Sequence, residues 1–220
     1  MSVNEDMHIM ADGYRSQYRQ YGYSPKSLGW NKGKQELRFD ILTSQYDFTG
    51  KSVLDIGCGF GDLNQALKKY PDYSYLGVDL VEEFIDEAKI RYNESPIAFE
   101  CVDFLQKNFN EPFDYAVSSG AFNIKLSGAD NYDFVQSVMS KAYEWTIDGF
   151  AFDFLSDKVD YKLEHTFHYD PARILAMAYQ HSRNVLLRND YMPFEFSVFV
   201  FKDDSFEKQD TVFKRYKELH

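Results

Sequence analysis

The sequence predicts a doubly wound α/β domain: a seven-stranded, mostly parallel sheet with its last strand antiparallel, preceded by a helical cap. Three observations carry that expectation. From about residue 52 onward, short apolar runs alternate with amphipathic stretches, the pattern of repeated strand and helix units. Most connections exceed about ten residues, enough to hold the crossover helices of a parallel sheet. The connection 188–194 is short enough for a hairpin, so the last two strands are expected to pair antiparallel.

Taken in chain order, strands are expected at 52–56, 74–78, 97–100, 114–118, 149–154, 184–187 and 195–201. Segments 63–69, 82–92, 132–145 and 171–181 place apolar residues at helical spacing with charge on the other face, and are read as covering helices. Upstream, 12–42 is rich in Tyr, Gly and Arg, is broken at Ser24-Pro25, and is read as helical segments capping a site. The charged stretch 203–220 is expected to end in a partly frayed helix. The whole is read as one domain, with a cap or lid at 1–45, a core at 46–202 and a tail at 203–220.

Composition narrows the function. With 220 residues and 44% hydrophobic content the chain is able to bury a full core. Its net charge of -11 argues against a general nucleic-acid binder, which needs clustered Lys and Arg on phosphates. No apolar stretch approaches the ~20 residues of a membrane span, and the first ten residues carry Glu5 and Asp6 where a secretory signal would be basic. Cys58 and Cys101 form no CxxC pair, which fits reduced thiols. A cytoplasmic location is the expectation, and no metal site is expected because neither HExxH nor CxxC occurs.

The segment richest in chemistry is Val53-Leu54-Asp55-Ile56-Gly57-Cys58-Gly59-Phe60-Gly61-Asp62-Leu63, a buried strand running through a glycine turn into a helix. Glycines at 57, 59 and 61 let the backbone turn and approach a ligand, because no Cβ stands in the way. Cys58 fills a small-residue position between them. Downstream, Tyr75-Leu76-Gly77-Val78-Asp79-Leu80 ends the second strand in an acid placed to accept ribose hydroxyls. A dinucleotide loop would carry Gly or Ala at the sixth position of GxGxxG. This chain has Asp62 there, a carboxylate that would repel a pyrophosphate. Asp55 at the strand end also suits a cationic amino-acid ligand.

These residues resemble the class I S-adenosylmethionine (SAM)-dependent methyltransferases over roughly residues 35–201. The resemblance implies SAM as cofactor and S-adenosylhomocysteine (SAH) as product. It implies cofactor contacts at Asp55, Gly57, Cys58, Gly59, Gly61, Asp79 and Leu80, with Asp103 and the Phe104 amide at the adenine edge and Ser119 with Gly120 beside the methionine portion. Leu28-Gly29-Trp30 with Gln35 and Arg38, Ser119-Gly120-Ala121-Phe122-Asn123, and Asp190-Tyr191 with Glu195-Phe196 look like a bacterial small-molecule subgroup of unknown substrate. Arg38 suits the SAM carboxylate, its guanidinium being able to pair in bidentate fashion, or is a surface residue of the cap.

A small acceptor methylated on a hydroxyl or amine is the expected substrate, a metabolite or carbohydrate-like molecule. Methylation of a protein or RNA and a non-catalytic SAM-binding partner are the alternatives. Loops at the carboxyl ends of the strands face the ligand in open α/β sheets, which selects Asn123, Asp153, His165, His168, Asp190 and Tyr191. His168 is the first candidate for a general base, with a hydrogen-bonded structural role as its alternative, and Asp153 is the second. Asp170 reads equally as the N-cap of a helix with Pro171 in its first turn. Tyr14, Tyr18 and Tyr21 recur at helical spacing, either packing the cap onto the domain or forming a lid in which Tyr21 meets substrate. The oligomeric state is left open.

Overall fold

The computed structural model describes residues 3–29 and 34–219, so Trp30 lies outside the described residues. Helix α1 (Val3–Tyr21) leads through a 3-10 turn (Pro25–Leu28) to α2 (Gln35–Thr43). The core follows as β1 (Ser52–Ile56), α3 (Leu63–Leu67), β2 (Ser74–Asp79), α4 (Glu82–Arg91), β3 (Ile97–Cys101), β4 (Phe113–Ser118) and α5 (Asn131–Glu144). It closes with β5 (Thr146–Leu155), α6 (Pro171–Ala178), β6 (Val185–Arg188), β7 (Glu195–Phe201) and α7 (Lys214–Leu219).

The seven strands form one sheet in the order β3-β2-β1-β4-β5-β7-β6. Pairings among β1 to β5 are parallel, and β7 runs antiparallel between β5 and β6. The short 188–194 connection therefore makes the expected hairpin, and its second strand inserts against β5, which leaves β6 at the edge. That position explains burial. All seven residues of β7 are buried, whereas the four of β6 are only half-buried.

Alternation within the central strands sends side chains to two cores. Leu54, Ala116, Phe150 and Phe152 face α5 and α6, while Val53, Val117, Ala151 and Phe199 face α2, α3 and α4. Each fully buried ring such as Phe150, Phe152 or Phe199 contributes roughly 1.5–3 kcal/mol of burial free energy. Helix starts follow their caps: Asp130 accepts the Tyr132 and Asp133 amides ahead of α5, and Asp170 accepts the Ala172 amide ahead of α6, with Pro171 in the first turn.

One boundary within the 1–45 cap differs from expectation, and the terminal helix is present. The cap helix starts at Val3 and not near residue 12, because Met7, Ala11, Tyr14 and Tyr18 continue one stripe at three- and four-residue spacing. The tail is held to the core: Arg215 stacks on the Phe201 ring at 3.5 Å and donates to the Gln45 carbonyl. No helix among the described residues is long and apolar enough to cross a membrane.

Candidate functional site

The site follows from the strand order. The chain leaves β1 toward β2 on one side and leaves β4 toward β5 on the other, so a crevice opens between the loops at their carboxyl ends. A cleft of about 1050 Å³, including its open mouth, lies there. Its floor is the β1–α3 turn, its side walls are the ends of β2, β3 and β4, and its roof is α1 through Met7, Met10, Ala11 and Tyr14.

Of the residues expected to bind a nucleoside, Asp55, Gly57, Cys58, Gly59, Asp79, Leu80, Asp103, Phe104, Ser119 and Gly120 all line this cleft. Gly57 has φ +72°, and a Cβ on it would meet the Ala121 Cβ at 2.8 Å, so the turn passes close under the β4 loop only as glycine. The Asp79 carboxylate accepts the Gly59 and Val81 amides, both at 2.9 Å, which ties the end of β2 to the glycine turn. Asp103 accepts the Leu105 amide at 2.9 Å and is thereby held at the end of β3. Tyr75 donates to Asp55 at 2.6 Å from beneath the floor.

Burial dominates the electrostatics. It raises Asp79 above its ordinary range and lifts Asp55 to about 7, opposed by the hydrogen bond from Tyr75 and aided by the charge of Asp79. Burial and then Asp79 push the Tyr14 hydroxyl to about 12. Three carboxylates line the cleft, and no Lys or Arg among the described residues does. An acidic cradle of this kind fits a cationic ligand and disfavours a diphosphate.

Other expected site residues lie elsewhere. The sixth motif position does not act as anticipated: Asp62 points behind the turn, where it accepts Tyr23 at 3.0 Å and Tyr92 at 2.9 Å, so the charge facing the ligand comes from Asp55 and Asp79. Gly61 is not in the cleft wall. It has φ +76°, and the Phe99 ring stands 2.5 Å from where a Cβ would be, which makes it a packing glycine. Arg38 is buried and pairs in bidentate fashion with Glu195 of β7, so a protein carboxylate takes the place foreseen for a ligand's. Asp153 is buried behind the β4 loop. It accepts the Ser119 hydroxyl at 2.6 Å and the Gly120 amide at 2.7 Å, so it holds two cleft residues and does not itself line the cleft. Burial first, and the Glu195 charge second, raise it to about 6.

His168 also lies outside the cleft wall. Its Nδ1–H donates to the Ser156 carbonyl at 2.7 Å and its Nε2 shares a hydrogen bond with Thr166 at 3.0 Å, which commits both ring nitrogens within its own loop. Tyr21 is exposed beyond the cap stripe, with Lys26 over its ring, while Tyr14 and Tyr18 pack edge-on against Phe84. Asp190 is exposed and paired with Arg188, and Tyr191 shares a hydrogen bond with Ser197 at 2.8 Å. Asn123 is half-buried after the β4 loop, and its backbone carbonyl accepts the Phe167 amide.

Residues 53–142 match the family model described as a methyltransferase domain. The malonyl-[acyl-carrier protein] O-methyltransferase of Acetivibrio thermocellus is 32% identical over 92 residues, 40% of this chain; the chain spans only 32% of that relative's length. A Mycobacterium tuberculosis protein named as a methyltransferase is 28% identical over 69% of this chain and 93% of its own. Magnesium protoporphyrin IX methyltransferase of Synechocystis, solved with bound SAH, superposes with a TM-score of 0.64 at 14% identity, covering 90% of this chain and 99% of its own, and so shares the fold.

Residues 53–142 thus form a methyltransferase domain, set in a fold shared with that SAH-bound enzyme. Among the lining residues, Met7, Met10 and Ala11 of the roof and Phe134 and Val138 of the inner wall are not anticipated from the sequence, whereas Phe122 of that wall belongs to the Ser119–Asn123 motif. The apolar stripe of α1 is an available signal for the first group. Nothing in the sequence separates Phe134 and Val138 from ordinary core, since both pack with the cluster that α5 buries.

Proposed function

We propose that this methyltransferase transfers the methyl group of SAM to a hydroxyl or amine of a small acceptor. One observation carries the reading: a cleft at the sheet's switch point that gathers Asp55, Asp79 and Asp103 around a glycine turn with no Lys or Arg among its described lining residues. When bound, SAM would supply an electrophilic methyl group to the acceptor's lone pair, with SAH and the acceptor's proton as the other products.

The chain's own residues bind, orient and exclude water. Asp79 offers the lone pairs left after its two amide bonds to ribose hydroxyls, and Asp103 offers its free oxygen to an exocyclic amine. Asp55, close to half-ionised at neutral pH, gains charge when a cation approaches. Ser119 and Gly120, pinned by Asp153, set the wall nearest the β4 end. α1 roofs the cleft and shields it from water, which favours charge dispersal at the reacting centre. Because neither His168 nor Asp153 reaches the cleft wall, positioning carries the rate, and an amine or an already acidic hydroxyl suits the site best.

Phe122 forms part of the inner wall, stacked on Phe154, and the cleft stays open beside it, which supports an enzyme over a non-catalytic binding partner. Isothermal titration with SAH tests the cradle. Binding to the intact chain and a loss of at least about tenfold in Asp79→Ala are expected, the worth of hydrogen bonds to a charged acceptor. Equal affinity in the variant would reject the ribose contact.

A further inference from the structure

A second cleft adjoins the first on the other side of α1. It lies between that helix and the segment 124–127, and Met10 and Tyr14 line both clefts. Its walls are mostly apolar, from Ile9, Met10, Ile124 and Leu126, and Ile9 is 59% exposed at the mouth. Such an isoleucine beside an open concavity is a contact surface waiting for an apolar body.

The polar groups on this cleft have a definite sign. Ile124 bridges Thr166 in an antiparallel pair, and the Lys125 amide donates to the His165 carbonyl at 3.0 Å, so backbone pairing sets Lys125 and His165 side by side on the rim. The one carboxylate among the described wall residues, Asp6, is buried and turned inward: it accepts the Ser127 amide at 3.1 Å and the Gly128 amide at 2.8 Å. Those bonds anchor α1 to the segment, while Lys125 and His165 are both exposed at the rim, beside the neutral Gln17 and Ser127 of the same wall. In a chain of net charge -11 this is a local reversal, and it is opposite in sign to the neighbouring acidic cleft.

We propose that the second cleft seats the methyl acceptor, an apolar molecule carrying an anionic oxygen group that Lys125 and His165 receive at the rim. Met10 and Tyr14 form the partition through which its nucleophilic end meets the first cleft. The inference rests on the proposed SAM site in the first cleft and extends it to a substrate class.

The test is an amide chemical-shift titration of the SAH-saturated protein with octanoate and, separately, with octylamine. Octanoate is expected to shift residues 9–17, 124–127 and 165, octylamine to leave them unmoved, and Lys125→Glu to weaken octanoate about tenfold, the usual worth of a charge-assisted contact, with SAH affinity unchanged. Octanoate shifts confined to other surfaces, equal binding of octylamine, or an unaltered octanoate affinity in Lys125→Glu would overturn the proposal. Failure of SAH to saturate the intact protein is a separate result that removes the first-cleft reading itself and this inference with it.

Discussion

Ser119 donates its hydroxyl to the buried carboxylate of Asp153 at 2.6 Å, and the adjoining Gly120 amide reaches the second oxygen at 2.7 Å. The turn that walls the cleft beyond β4 is thus held from behind by β5. Asp153→Ala strands both donors, which costs about 1–3 kcal/mol of stability by the usual penalty for an unpaired buried group, and it frees the turn. SAH affinity measured by titration calorimetry is expected to fall about tenfold. Asp153→Asn, whose single carbonyl oxygen serves one donor while its amide opposes the other, should fall between.

The buried acids also give the protein a pH signature. Burial lifts Asp55 to about 7 and Asp153 to about 6, from 3.8. Between about pH 4 and 7 the folded chain therefore holds protons that the unfolded chain has released, and these groups make stability fall as pH rises. The half-buried His181, whose imidazole is pushed down by desolvation, works in the opposite sense. Urea unfolding of wild type and Asp55→Asn across this range isolates the effect: the difference in stability is expected to grow in favour of the variant toward pH 7, and parallel curves would contradict it.

Arg38 and Glu195 join the cap helix α2 to β7 inside the protein, with side-chain exposures of 7% and 9%. Removing one partner leaves a charge buried without its counter-ion, so Arg38→Met is expected to cost about 3–5 kcal/mol. The double variant Arg38→Met/Glu195→Leu should recover most of that loss, because an apolar pair replaces the ions. Denaturant midpoints at constant m value decide between this and a purely local role.

Strand positions and the glycine turn are legible in the sequence because short-range chemistry sets them: β7 is marked by Phe196 and the run Val198 to Phe201, interrupted only by Ser197, and Asp79 stands out by its place at the end of a strand entering a loop. Partner choice is not legible. Whether Arg38 meets a ligand or Glu195 depends on β7 inserting next to β5, which brings together residues far apart in the chain. Asp153 likewise sits at a strand end, as expected of a site residue, yet pleating turns it toward Ser119 and away from the cleft. The start of α1 is harder to read because the stripe from Met7 to Tyr18 begins in a polar, methionine-containing segment.

His168 illustrates the same limit and is open to direct test. Both ring nitrogens are hydrogen-bonded within its loop. His168→Ala should hold labelled-methyl transfer into cell-extract metabolites within about threefold of wild type, in place of the ~10²–10⁴-fold loss that follows removal of a general base. A drop of that larger size would return His168 to the reaction.

The glycine turn divides its work between fold and ligand, and two substitutions separate the parts. At Gly61 an added Cβ lies 2.5 and 2.7 Å from two atoms of the Phe99 ring, in a backbone conformation of φ +76° that side chains rarely adopt, and the residue does not line the cleft. Gly61→Ala is therefore expected to lose about 1–3 kcal/mol to overpacking and strain, with SAH affinity preserved in the folded fraction. At Gly57 the added Cβ meets Ala121, 2.8 Å away, and both residues line the cleft. Gly57→Ala should then lose affinity as well as stability. Melting curves read beside SAH titrations distinguish the two, and a Gly61→Ala protein that folds stably but no longer binds SAH would place residue 61 among the ligand contacts.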